Sequence, residues 1–151
     1  MKSKHFSLIT SFSLLLALLG VADSVYLLIK HYTFSPVVCG PFIAQCDSVL
    51  SSSYSEVFGV PLALGGVVFY AALVIFLVSM LIRQKQMFAR LYMAITCFGI
   101  IFSAHFVYLQ IRVLHEICTY CMVSASISTL LFILGIFIFR HIIPVTYAEI
   151  S

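Results

Sequence analysis

Four long apolar stretches, at about 6–29, 61–82, 91–111 and 121–139, dominate the chain. Each is close to the roughly 20 residues that a helix needs to cross the hydrocarbon of a bilayer. The segments between them differ in character. Residues 30–60 form a polar loop with Pro36, Pro41, Gly40, Gly59 and the serine run Ser51, Ser52, Ser53. Residues 83–90 are short and basic, and 112–120 are short. Short links make consecutive helices antiparallel neighbours. The expected fold is therefore all-α: one integral membrane four-helix bundle over residues 1–151.

Composition narrows this further. Of the 151 residues, 63% are hydrophobic and 9% charged, too few charges to clothe a soluble domain. A net charge of +3 with no basic stripe gives no footing for nucleic acid. No phosphate loop, dinucleotide fingerprint or repeat is present. Lys2, Lys4, Arg83, Lys85, Arg90 and Arg140 fall at one end of the bundle, and Lys30 and Arg112 at the other. The positive-inside rule then places both termini in the cytoplasm of a multi-pass cell-membrane protein, with the 30–60 loop outside. The N-terminus resembles a signal peptide up to Ala22, but the apolar run resumes past Asp23 to Ile29, longer than a cleavable core.

The five cysteines supply the candidate chemistry. Cys118-Thr119-Tyr120-Cys121 is a C-x-x-C at the outer end of the fourth span. In a helix beginning here the two sulfurs share a face, and the positive helix end favours a thiolate. Cys39 and Cys46 lie in the outer loop, where Gly40 and Pro41 allow a bend that lets them meet. With the charge-derived sidedness, both pairs stand on the oxidising, periplasmic or extracellular face. Two pairs on one such face suit a thiol relay. The alternatives are two structural staples, or one four-thiolate zinc site, and no metal is expected. Cys97, mid-span, reads as a small buried hydrophobe. Asp23 is a carboxylate inside an apolar run, a functional candidate because burial there is costly. His105 reads as a packing residue, with proton relay the alternative. Glu116 has no assigned role.

The run from Cys46-Asp47-Ser48-Val49-Leu50 through Phe58-Gly59-Val60-Pro61, followed by Glu116-Ile117-Cys118-Thr119-Tyr120-Cys121, resembles the vitamin K epoxide reductase family. The resemblance covers about Val21 to Ser128. It implies a bundle around a quinone such as ubiquinone or menaquinone, with the outer loop as a lid. It makes Cys39 and Cys46 the shuttle cysteines, Cys118 and Cys121 the active-site pair, and Ser52 the loop hydroxyl near the reactive centre. Animal members carry a tyrosine four residues after the second C-x-x-C cysteine, where Ala125 stands, and an asparagine early in span two, nearest Leu62. The branch that oxidises thiols at the expense of a quinone is the better match. Some bacterial members carry a fused thioredoxin-like domain. With the chain ending at Ser151, a separate thioredoxin-like protein on the outer side is the expected partner, alongside membrane lipid. Phe58, Phe69, Tyr70, Phe106 and Tyr108 are candidates to line the quinone slot, and Asp23 to donate into it. The rival readings are a Dsb-type quinone-coupled oxidase and a non-enzymatic membrane scaffold with structural disulfides.

Overall fold

In the computed structural model the apolar stretches are four long helices. The structure describes residues 2–33, 55–57, 59–83, 85–115 and 117–150, with side chains at 5–33, 55–56, 59–83, 85–115 and 117–142. Helix α1 spans Lys2–Thr33, α2 Leu62–Arg83, α3 Gln86–Leu109 and α4 Thr119–Ile150. Each contains a stretch long and apolar enough to cross a membrane, and in lipid a helix satisfies its own backbone polar groups. The chain is a multi-pass membrane protein. Helix α1 packs on α2 and α4, and α3 packs on α4 and α2, closing a ring of four.

Helices α1, α3 and α4 are longer than their apolar runs, because hydrophobicity marks lipid contact and not hydrogen bonding. The third span is expected to begin at 91, yet α3 begins at Gln86. There Arg90 donates to Gln86 Oε1 one turn back at 3.1 Å, and Ala89 is buried. At the end of α1, Thr33 Oγ1 donates to the Ile29 carbonyl at 2.8 Å. The fourth span begins two residues earlier than expected, at Thr119.

The inner surface is built by Tyr70, Leu73, Leu77, Met80, Tyr92, Leu131 and Ile138, all but fully buried. Two aromatic hydroxyls tie neighbouring helices to α4: Tyr92 donates to the Leu131 carbonyl at 3.0 Å, and Tyr70 to that of Ser124 at 2.7 Å. Small residues let helices approach closely in a bilayer. A Cβ on Gly66 would fall 2.7 Å from Ser24 Oγ, so α1 and α2 cross there nearly backbone to backbone. Leu15, Val68, Ile75 and Phe98 face outward as the lipid-contacting surface. Cys97 belongs to that surface; it is exposed, not the buried small residue expected.

Two local features shape the outer end. Strands β1 (Glu56–Val57) and β2 (Val60–Pro61) form an antiparallel ladder. Gly59 turns between them at φ +76°, a conformation a side chain disfavours. The Leu62 N–H then bonds the Ser55 carbonyl at 2.8 Å and leads into α2. His31 Nε2, at the end of α1, lies 3.3 Å from Glu56 Oε1 and joins ladder to helix. Second, α3 ends in a π-turn, Gln110–Leu114, closed by His115 in the left-handed conformation at φ 52°. Wide turns of this kind are frequent at functional sites because they re-aim one side chain. Cys39, Cys46, Ser52, Phe58 and Glu116, and with them the proposed lid, lie outside the described residues.

Candidate active site

Helix α4 starts one residue after Cys118, so Cys118 is its N-cap. The Cys118 carbonyl accepts the Met122 N–H at 3.1 Å, beginning the helical ladder. An N-cap side chain is placed to accept from the free N–H groups of the first turn. The Cys118 sulfur does this, taking bonds from the backbone of Tyr120 and Cys121. The Cys121 thiol also donates to it. That thiol bond, with the two backbone donors, outweighs the cost of burial and brings Cys118 down from 9.0 to about 7. Cys118 is wholly buried, packed among Tyr26, Leu114, Tyr120 and Cys121.

The thiolate should therefore form around neutral pH in the reduced protein. Thiolate absorbance in the far ultraviolet is expected to rise through a midpoint near 7. In Cys121→Ala the strongest donor is gone, and the midpoint should move up by at least about one unit. A wild-type midpoint at the ordinary thiol value, or one that Cys121→Ala leaves in place, would contradict this arrangement.

Below the pair lies a cavity of about 290 Å³ between the helices. Its wall is mostly apolar, with Phe69 and Tyr70 from α2 and Phe102 and Phe106 from α3. Cys121 lines it; Cys118 does not. Phe98 and Phe102 are also exposed, so the cavity wall continues onto the lipid-facing surface. The Tyr70 hydroxyl is spent on Ser124, so Tyr70 presents its ring to the cavity. Tyr108 and His105 are exposed and do not line it.

Asp23 departs from its expected place. Ser24, Leu27 and His31 carry the α1 contribution to the cavity wall, and Asp23 is not part of that wall. Its Oδ2 is buried with no hydrogen-bond partner. Its carboxylate still lies close enough for its charge to act on both Cys118 and Cys121.

A residue the sequence did not single out, Gln110, completes the centre. It is 1% exposed, lines the cavity, and its Oε1 accepts the Cys118 backbone N–H at 2.9 Å. The available signal is a lone amide within the otherwise apolar stretch Phe106–Ile111, and it resembles an interfacial residue until the π-turn points it inward. Among the described residues no three-ligand His, Cys, Asp or Glu cluster occurs. The arrangement is that of a reducible dithiol: one thiol poised as thiolate, the other donating to it and opening onto an apolar chamber.

Residues 11–136 match the model of the Vitamin K epoxide reductase family. Thiol-disulfide oxidoreductase LTO1 of Arabidopsis thaliana is 32% identical over 123 residues, covering 76% of this chain and 32% of that protein. The chain thus spans about a third of the length of the curated relative it matches.

Proposed function

Starting from a chain that belongs to the vitamin K epoxide reductase family, we propose a membrane thiol oxidase that forms disulfides in a soluble partner and passes the electrons to a quinone. The observation that carries this reading is Cys121, which lines the apolar cavity while donating its thiol proton to Cys118. The name of the Arabidopsis relative, a thiol-disulfide oxidoreductase, supports the same class of chemistry. A scaffold with inert bridges needs neither an N-capped thiolate nor a chamber beside it.

A thioredoxin-like protein on the outer side reduces the Cys39–Cys46 disulfide. Cys46 then attacks Cys118 of the oxidised membrane pair and releases the Cys121 thiolate. Cys39 displaces Cys118 from Cys46, which restores the loop disulfide and leaves Cys118 and Cys121 reduced. Each step exchanges one sulfur–sulfur bond for another and needs a thiolate attacker. A quinone held among the cavity residues would supply the acceptor for two electrons and two protons as the membrane pair returns to the disulfide. Cys121 stands at the cavity wall to deliver them, and the family resemblance gives Ser52 the role of a loop hydroxyl in the exchange. Both pairs face the oxidising side, with both termini cytoplasmic.

The cavity fits such an acceptor in two ways. Its wall is largely apolar, as an isoprenoid quinone requires, and it holds buried polar atoms with donor capacity to spare: Ser128 Oγ, and Gln110 Nε2, whose neighbour is the Cys121 thiol. Gly65 offers a direct test, since it lines the cavity and a Cβ there meets nothing within 4 Å. Gly65→Phe should fold, because glycine inside a helix costs about 1 kcal/mol relative to better helix formers. It should raise the KM for a short-chain ubiquinone roughly tenfold or more, the effect of about 1.4 kcal/mol of lost binding. Unchanged quinone kinetics in the folded variant would place the acceptor elsewhere.

A further inference from the structure

Two buried polar atoms of the cavity wall, Ser128 Oγ and Gln110 Nε2, have no oxygen partner, and their surroundings explain why. Ser126 and Thr129 bond back to the carbonyls four residues earlier, Met122 and Ala125, at 2.8 Å. The equivalent carbonyl for Ser128 is that of Ser124, which already accepts the Tyr70 hydroxyl at 2.7 Å. Gln110 is the sharper case. Its carbonyl oxygen is committed to the Cys118 N–H at 2.9 Å, which fixes which end of the amide points where. Its Nε2 is buried, in a side chain that is 1% exposed and lines the chamber; it has the Cys121 thiol as a neighbour and no oxygen acceptor, so the second amide N–H is left without a partner. A buried amide N–H without an acceptor costs about 1–3 kcal/mol, so such a group usually meets its partner in a ligand or water.

We propose that Gln110 is the donor that grips a carbonyl oxygen of the bound quinone next to Cys121, while its own oxygen holds the backbone of Cys118. This rests on the thiol-oxidase reading above and assigns the residue that registers acceptor against dithiol. Gln110 keeps its protons throughout. Two thiols and one quinone become one disulfide and one quinol, and the amide N–H stabilises the negative charge that grows on the carbonyl oxygen as electrons arrive. The π-turn makes this possible: the wide turn from Gln110 to Leu114 turns the amide into the bundle. A preformed donor held from its other end loses little freedom when the ligand arrives.

The test separates donor from ruler. Gln110→Glu keeps an oxygen for the Cys118 N–H and, when ionised, removes the donor; Gln110→Leu removes both. Quinol formation from a short-chain ubiquinone is measured across pH in detergent-solubilised full-length protein. Oxidation of the same dithiol by diamide, which needs no carbonyl donor, is measured beside it. Gln110→Glu is expected to raise the quinone KM about tenfold or more at alkaline pH and to recover at acid pH, where the protonated carboxyl can donate again. Diamide oxidation should stay within about threefold of wild type. Gln110→Leu should lose quinone turnover at every pH. A quinone KM unchanged in Gln110→Glu overturns the assignment. So does a parallel loss in the diamide reaction, which would make Gln110 a structural support of Cys118 alone, or failure of Gln110→Glu to fold. Wild-type protein that is oxidised by diamide but by no quinone would instead sink the thiol-oxidase reading, and this assignment with it.

Discussion

Cys121→Ala is expected to abolish quinone reduction while leaving the bundle folded. Cys121 is the member of the pair that lines the cavity, and without it the dithiol cannot return to a disulfide. Loss should approach the background of the uncatalysed reaction, since among the described residues no other thiol lines the cavity: Cys97 lies exposed on α3 and outside the cavity wall. The side chain is small, and its removal costs at most a few kcal/mol through packing and the lost bond to Cys118. Folding is checked by thermal unfolding in detergent, and quinol by its absorbance. Normal quinol production from folded Cys121→Ala would remove Cys121 from the electron path.

Cys39→Ala should trap the relay. When Cys46 has attacked Cys118, Cys39 is the thiol that breaks the mixed disulfide in the forward direction. Without it the Cys46–Cys118 bond is expected to accumulate as the main species, visible by peptide mapping under non-reducing conditions. Cys46→Ala should instead leave Cys39 able to hold a soluble thiol partner. The exchange requires the two sulfurs to meet, with Cα atoms within about 7 Å, and Cys118 is buried among Tyr26, Leu114 and Tyr120. Movement of that aromatic cover is therefore part of the cycle. Finding Cys39, and never Cys46, joined to Cys118 in the parent protein would reverse the two loop roles. Finding neither would make the loop pair a structural staple.

The parts of this protein that were legible in its sequence are those written locally. Bilayer-length apolar runs mark spans because the solvent demands them, and two cysteines three residues apart mark a dithiol because neighbouring sulfurs are close whatever surrounds them. What escaped depends on direction. In a span that is apolar all round, periodicity does not distinguish the protein-facing side from the lipid-facing side. Cys97 was thus expected inside and lies outside, and Asp23 was expected to face the chamber that Ser24 faces. Gln110 depends on a π-turn for which Gln-Ile-Arg-Val-Leu carries no recognisable signature. Phe-Gly-Val-Pro was legible as a motif, but its hairpin is seen only once Gly59 is found at positive φ and β1 pairs with β2.

The most direct measurement is a thiol count on the reduced, purified protein mixed anaerobically with a soluble quinone. Cys118 and Cys121 are expected to disappear as thiols and to be recovered by peptide mapping as one disulfide, with one quinol formed per bond and Cys97 left free. Cys118 and Cys121 remaining as thiols, in protein that diamide oxidises readily, would contradict electron transfer from this pair to a quinone.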